Sequence, residues 1–116
     1  MKTYPGRQPR KVLEGNATVD VAGKRFNMTL ADVSLGGVTL CSPTAIPQVT
    51  DICVLTFSIP GSAGSYEIQV SATITHCRYS FVFMCCRTGF QFQEPDEAVT
   101  ALITSFLAEN TSSVSS

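Results

Sequence analysis

The 116-residue chain contains no apolar segment long enough to cross a bilayer, and residues 1–14 carry basic side chains without the apolar run of a signal peptide. Neither direct membrane insertion nor export is therefore expected. The chain also has a single histidine, His76, and no Cys-x-x-Cys pair. Because strand alternation would place His76 and Cys77 on opposite faces of a sheet, no metal site is predicted.

The sequence is equally poor in the signatures of an enzyme. Ser34 lacks the Gly-x-Ser-x-Gly setting of a serine nucleophile, and one distant histidine does not complete a catalytic triad, so no catalytic residue and no enzymatic activity are predicted. The cysteines are odd in number and show no framework spacing, which is typical of thiols kept reduced in the cytoplasm. They are Cys41, Cys53, Cys77, Cys85 and Cys86.

Acidic residues are absent before Glu14, although the whole chain is close to neutral. Four of the eight basic residues lie in this first segment, and the rest of the chain contains the other four together with all nine acidic residues. Because binding along a nucleic acid polymer needs a positive face spread over many phosphates, a basic arm on an acidic body does not favour it. The arm suits a small anion, and a solvated, disordered terminus is the alternative. The basic residues of the arm are Lys2, Arg7, Arg10 and Lys11.

Alternation of apolar and polar residues predicts a sheet of short antiparallel strands. The clearest alternation runs from Tyr66 to Thr75, with one buried and one solvated face. Turn residues between the strands, including a loop at 60–65, favour a small antiparallel barrel of six or seven strands over a parallel α/β sheet. The predicted strand segments are 17–21, 26–30, 38–41, 52–59, 66–75, 81–86 and 89–93.

A helix is predicted after the barrel. Pro95 and the two acids after it suit a helix N-terminus, and apolar residues follow at helical spacing from Val99 to Leu107. We therefore expect one domain with a closing amphipathic helix over an end or side of the barrel. Its predicted parts are a flexible basic arm at 1–13, a β-barrel at 14–94, the helix at 95–109 and a disordered tail at 110–116.

The segment Asp32-Val33-Ser34-Leu35-Gly36-Gly37 combines a carboxylate, a hydroxyl and glycines in one turn. A carboxylate can accept both donors on the N1 and N2 edge of guanine, whereas adenine presents an acceptor there. An arginine such as Arg7 can donate to guanine O6 and N7 at once. Ser34 can donate to the ligand or stabilise the turn, and Gly37 permits positive φ or a close approach of backbone to ligand.

The two remaining cations of the arm, Arg10 and Lys11, suit phosphates. Together these residues predict a guanine nucleotide site. Two structural explanations stay open: Asp32 and Ser34 could form only an Asx-type turn, and Gly36 with Gly37 only a β-bulge. The sequence also leaves open whether Arg78 and Arg87 flank the ligand or are surface charges.

These residues resemble the PilZ family, whose motif is Arg-x-x-x-Arg followed, after roughly twenty to thirty residues, by Asp/Asn-x-Ser-x-x-Gly. Asp32, Ser34 and Gly37 stand in the three places of the second half. Arg7 fits the first arginine, Lys11 stands where the second is expected, and Arg10 lies one position earlier. The order of β elements and the closing helix extend the resemblance over nearly the whole chain.

The resemblance implies a bacterial receptor for cyclic di-GMP, with no other cofactor. It implies a binding set of Arg7, Asp32, Ser34 and Gly37, with Lys11 or Arg10 replacing the second arginine. The ligand would order the arm and so change contacts with a protein partner or a neighbouring effector domain, in control of exopolysaccharide synthesis, biofilm formation or motility. The alternative is a PilZ-like adaptor that binds no nucleotide and acts through protein contacts.

Overall fold

The computed structural model describes residues 10–43, 52–61 and 64–115, and side chains within these ranges as far as residue 108. Six strands and one helix follow one another along the chain. They are β1 (Arg10–Val21), β2 (Lys24–Ser34), β3 (Gly37–Ser42), β4 (Cys53–Gly61), β5 (Gly64–Ser80), β6 (Cys85–Phe92) and α1 (Glu97–Ser115).

All neighbouring strands are antiparallel and form a closed barrel in the order β1-β2-β3-β6-β5-β4. The barrel closes because β1 pairs with β4 as well as with β2, with Val19 opposite Leu55 on one side and Phe26 on the other. Closure leaves neither strand with an unpaired edge over this length. The predicted antiparallel barrel with a C-terminal helix is confirmed.

Side-chain alternation places the barrel core where the sequence pattern predicts it. On β5, Ile68, Val70 and Ala72 are buried, while the alternating residues Glu67 and Gln69 are exposed. The β1–β2 hairpin turns at Ala22 and Gly23, which both have positive φ, 53° and 78°. Two positive φ values are typical of the type I′ turn, whose twist matches that of the flanking strands.

Two local predictions are wrong. Residues 81–86 were expected to form a separate strand, but β5 continues to Ser80 and residues 81–84 form the turn before β6. The apolar run there is as strand-like as its neighbours, so only the pairing of β5 with β6 decides where the chain reverses. The loop expected at 60–65 is shorter, because Pro60 and Gly61 pair with Ser65 and Gly64 at the ends of β4 and β5. Proline is tolerated at such a strand end.

The helix α1 begins as predicted, next to Pro95 and Asp96. The Asp96 side chain accepts a hydrogen bond from the backbone N–H of Val99 at 2.9 Å, which caps the helix. Its apolar stripe, Val99, Ile103 and Phe106, joins the barrel core. The helix extends to Ser115 through the tail expected to be disordered, since no glycine or proline after Ala108 interrupts its backbone hydrogen bonds.

The first strand begins at Arg10 and includes the last four residues of the predicted arm, so Arg10 and Lys11 lie in β1 and have fixed neighbours. Arg7 and the rest of residues 1–9 lie outside the described residues. In the part of the chain that is described, no helix is both long and apolar enough to span a membrane.

Gly37 begins β3 where that strand lies closest to β6. A Cβ atom placed on Gly37 would lie 2.0 Å from the backbone oxygen of Phe90, a distance that no side chain can adopt without moving the strand. The requirement for glycine here is therefore a close approach between two strands. An approach of the Gly37 backbone to a ligand stays a prediction.

Gly37→Ala should lower the free energy of unfolding by about 2 kcal/mol or more, because the new methyl group must push β3 away from β6. The measurement is chemical denaturation followed by circular dichroism. Gly15→Ala is the matched control, since its Cβ would meet nothing within 4 Å. The two variants should differ clearly, and equal denaturation midpoints would contradict this account of the β3–β6 contact.

Candidate functional site

Asp32 lies near the end of β2 on the outer face of the barrel, with a side chain that is 13% exposed. Its Oδ1 accepts a hydrogen bond from Arg10 Nη1 at 2.6 Å, and its Oδ2 accepts one from Arg87 Nη2 at 3.4 Å. The carboxylate therefore lies between two guanidinium groups that come from opposite ends of the sequence. One negative charge against two positive ones leaves this cluster with a net positive charge.

Strand register explains why these three side chains meet. Asp32 pairs with Val12 of β1 and with Thr39 of β3, and Arg87 of β6 pairs with Cys41 two residues further along β3. Residues two apart on a strand share a face, so Asp32 and Arg87 are close neighbours on the outer surface. Register shifts between Val12 and Gly15 on β1 and between Leu30 and Asp32 on β2 adjust the local direction of these strands.

Arg87 is the site residue that sequence analysis left undecided. Its guanidinium carbon lies 4.3 Å from the centroid of the Phe83 ring, so the side chain is held by a cation–π contact as well as by Asp32. No motif in the sequence marks Arg87, because its place beside Asp32 depends on the pairing of β3 with β6. The run of apolar residues before it predicted a strand and gave no sign that Phe83 would lie against it.

A groove of about 450 Å³ lies directly beside the carboxylate and opens on the outer face of the barrel. Polar, charged and aromatic side chains share its lining, which suits a ligand with both a planar ring and polar edges. It is lined by Val12, Glu14, Gly15, Asn16, Thr29, Leu30, Ala31, Asp32, Cys41, Phe83 and Arg87.

Lys11 does not reach this groove. Its Nζ donates a hydrogen bond to the backbone oxygen of Phe106 in α1 at 3.0 Å and lies 3.7 Å from the centroid of the Phe106 ring. Neighbouring residues of a strand point to opposite faces, so Lys11 fastens β1 to the helix while Arg10 faces Asp32. Of the two cations considered for the second motif position, the structure brings Arg10 to the carboxylate.

Ser34, Gly36 and Gly37 shape the turn after β2. Ser34 is fully buried and its hydroxyl donates to the backbone oxygen of Gly37 at 3.2 Å. The backbone oxygen of Gly36 accepts a hydrogen bond from the Phe92 N–H at 2.9 Å, which ties the turn to β6. These three residues hold Asp32 in place through the turn. The Ser34 hydroxyl donates to a backbone oxygen, whereas in the Asx-type turn considered as an alternative the side-chain oxygen accepts from a backbone N–H.

Cys41 borders the groove next to Arg87. Burial raises the pKa of the Cys41 thiol to about 11, with a further contribution from the neighbouring Cys85 thiol, while the Arg87 guanidinium acts in the opposite direction. The thiol is therefore held in its protonated form beside the positive cluster. Thiolate is the reactive form of cysteine, so Cys41 is a poor nucleophile despite its position in the groove.

Alkylation of Cys41 by iodoacetamide near pH 8 should be about a hundredfold slower in the folded chain than in the unfolded one, because the pKa rises from 9.0 to about 11. The rate should keep increasing until about pH 11. Since the folded state retains this proton longer, the same group should lower stability as the pH rises from about 9 to about 11. Peptide mass spectrometry measures the rates, and a plateau near pH 9 in the folded chain would disprove the buried, protonated state.

Comparison with known proteins places this geometry in a family. The model of the PilZ domain family matches residues 6–109. No curated protein matches the chain. Several solved structures share its fold, and three of them are informative.

The inhibitor of motility MotI/DgrA of Bacillus subtilis superposes with a TM-score of 0.79 at 9% identity, covering 94% of this chain and 52% of that one. YcgR of Escherichia coli, in complex with c-di-GMP, gives 0.67 at 14% identity, over 95% of this chain and 47% of that one. The PilZ domain of YcgR with c-di-GMP gives 0.62 at 18% identity, over 97% and 98%.

The chain thus spans about half the length of the first two structures and nearly all of the isolated YcgR domain. At these identities the superpositions establish the fold. The match of the family model covers most of the chain and includes Asp32 and the turn that follows it. The chain belongs to the PilZ domain family.

Proposed function

We propose that this chain is a regulatory domain that binds cyclic di-GMP at the groove beside Asp32. The observation that carries the proposal is the Arg10–Asp32–Arg87 cluster on the outer face of the barrel, next to a groove of about 450 Å³. A doubly charged ligand requires positive charge, and a guanine ring requires a fixed acceptor pair and a surface for stacking. The cluster and the groove supply all of these within one surface.

The two arginines are the phosphate ligands in this proposal. Arg10 is 45% exposed at its side chain and Arg87 is 25% exposed, so both can turn part of their guanidinium edge towards the groove. Arginine makes bidentate, charge-assisted hydrogen bonds to phosphate. Asp32 keeps both groups oriented before the ligand arrives, which reduces the entropy lost on binding.

In this proposal, Asp32 and the aromatic ring of Phe83 in the groove recognise guanine. The distance from Arg87 to Asp32 Oδ2, 3.4 Å, is long for a charged hydrogen bond, so this oxygen retains capacity to accept from the N1 and N2 edge of guanine. Phe83 and the Arg87 guanidinium offer flat surfaces for stacking of the base. Adenine lacks the donor pair that Asp32 accepts and should bind weakly.

The N-terminal arm provides the response. We propose that Arg7 closes over the bound nucleotide and that Arg10, already paired with Asp32, acts as the second arginine of the motif. Lys11 fastens the start of β1 to Phe106 of α1, so an arm ordered at Arg10 would also be held next to the helix. The rearranged arm would then alter contacts with a partner or a neighbouring domain.

Relatives support the nature of the signal. MotI is named as an inhibitor of motility, and the YcgR structures contain c-di-GMP. A role in motility is the closest match to these proteins, and a role in exopolysaccharide synthesis is the second. All five cysteines are free, which agrees with action in the reducing cytoplasm. The chain acts in this proposal through binding and not through catalysis.

Isothermal titration with cyclic di-GMP should give saturable heat, and the affinity should fall about tenfold or more in Arg10→Ala, Asp32→Ala and Arg87→Ala. Each change removes one charged member of the cluster. Arg7→Ala should also weaken binding, because the arm can no longer close. Salt should reduce the affinity, since phosphate contacts dominate.

Two control variants separate the site from general charge effects. Lys11→Ala removes a cation that contacts α1. Arg25→Ala removes a cation that pairs with Asp20, and Arg25 itself lies about 24 Å from Asp32 along β2, at about 3.4 Å per residue. Both should leave the affinity nearly unchanged. Silent titrations at high micromolar ligand would favour the nucleotide-independent adaptor, and ATP binding as tight as that of guanine nucleotides would contradict the role of Asp32.

A further inference from the structure

The turn between β5 and β6 exposes four consecutive apolar side chains, which we call the apolar tip. Phe81, Val82, Phe83 and Met84 are 83%, 84%, 60% and 70% exposed. Tyr79 adjoins them, with its ring centroid 5.1 Å from that of Phe81 in an edge-on arrangement. The tip therefore presents a continuous apolar surface at the end of a hairpin.

Local structure does not require apolar residues at this turn. Turns favour glycine, asparagine, aspartate and serine, because these residues adopt positive φ readily or hydrogen bond to the nearby backbone. Met84 has a φ of 57°, a conformation that is unfavourable for a residue with a side chain. Exposed apolar surface combined with a disfavoured backbone conformation is typical of a segment retained for binding.

The hairpin segment that carries the tip has charge of one sign, while Glu14 and Asp32 of β1 and β2 line the groove beside Phe83. The segment between Glu67 and Glu94 contains Arg78 and Arg87 but no aspartate or glutamate. These two arginines face each other directly across β5 and β6, an arrangement that is unfavourable by itself. Asp32 neutralises part of the charge of Arg87. Arg78 is exposed and has no hydrogen bond or ion pair with any residue that the structure describes.

We infer that the apolar tip inserts into the interface of an anionic lipid bilayer, with Arg78 against the phosphates of the lipid headgroups. A membrane surface offers apolar acyl chains below a layer of negative charge, which matches an apolar tip with an exposed arginine behind it. Arg78 lies three positions before Phe81, the first residue of the tip, so the cation lies at headgroup depth when the tip enters the interface. Association through a protein pocket or a second copy of the chain is the competing outcome.

This inference changes one expectation drawn from the sequence. The lack of an apolar segment of bilayer length argues against a helix that crosses the membrane. A short apolar hairpin can still bind a membrane without crossing it. The inference also does not rest on nucleotide binding. Phe81 and Val82 do not line the groove beside Asp32, whereas Phe83 does, so the two activities can be tested with different residues.

Sedimentation with vesicles tests the membrane contact. The 116-residue chain should sediment with vesicles of equal parts phosphatidylglycerol and phosphatidylcholine, and much less with phosphatidylcholine alone. The double variant Phe81→Ser, Val82→Ser should reduce the partition coefficient about tenfold or more, because two apolar side chains no longer enter the interface. Arg78→Gln should reduce binding to the anionic vesicles and weaken its dependence on salt.

Ile52→Ser is the matched control for the double variant. Ile52 is 57% exposed and lies far from the tip. It precedes Cys53, which pairs with Ala72 of β5, and Ala72 is about 26 Å from Ser80, the last residue before the tip, at about 3.3 Å per residue. It should bind vesicles like the unmodified chain. The double variant should have the circular dichroism spectrum and denaturation midpoint of the unmodified chain, which shows that it is folded.

A fluorescent reporter gives an independent measurement. The chain has no tryptophan, so Phe81→Trp introduces a single probe at the tip. Its emission should shift to the blue with anionic vesicles and be quenched by brominated lipid. Failure of the unmodified chain to sediment, or equal loss of binding in Ile52→Ser, would overturn the inference. So would a dimer that depends on Phe81 and Val82 and forms without lipid, because the tip would then be a protein interface.

Discussion

The pairing of β3 with β6 is the constraint on which the site depends. It sets Cys41 opposite Arg87, brings that arginine to the Asp32 carboxylate, and requires glycine at position 37 because the two backbones are so close. Backbone hydrogen bonds fix this register along the whole of β3. A charged cluster that joins residues 10, 32 and 87 is thus positioned by the sheet, and the Phe83 ring adds a contact to Arg87.

In β1 and β2, side chains on opposite faces of the same strand make different kinds of contact. On β1, Arg10 contacts Asp32 while Lys11 contacts Phe106 of the helix, so consecutive cations belong to the charged cluster and to a contact with the helix. Near the end of β2 the side chains are divided in the same way: Ser34 is buried and stabilises the turn, while Asp32 lies on the outer face. Period-two alternation of side chains is the physical basis of both divisions.

Phe83 and Arg87 connect the groove with the apolar tip. The Phe83 ring lies under the Arg87 guanidinium, and the same ring lines the groove and belongs to the exposed turn. If a nucleotide drew Arg87 into the groove, this ring would be released, so the proposed nucleotide site and the proposed membrane contact share one side chain. The Phe83 ring thereby joins the groove to the apolar tip.

The sequence by itself determined the class of fold, the hairpin at Ala22 and Gly23, the buried face of β5 and the capped helix, because each depends on periodicity or turn chemistry within a few residues. It also marked Asp32 and its turn. Only the tertiary structure decided that Arg10 and not Lys11 faces Asp32, that Arg87 completes the cluster, and that residues 81–84 form an exposed turn in place of a strand. Strand register and closure decide these features, and register is a relation between distant segments that no local pattern contains.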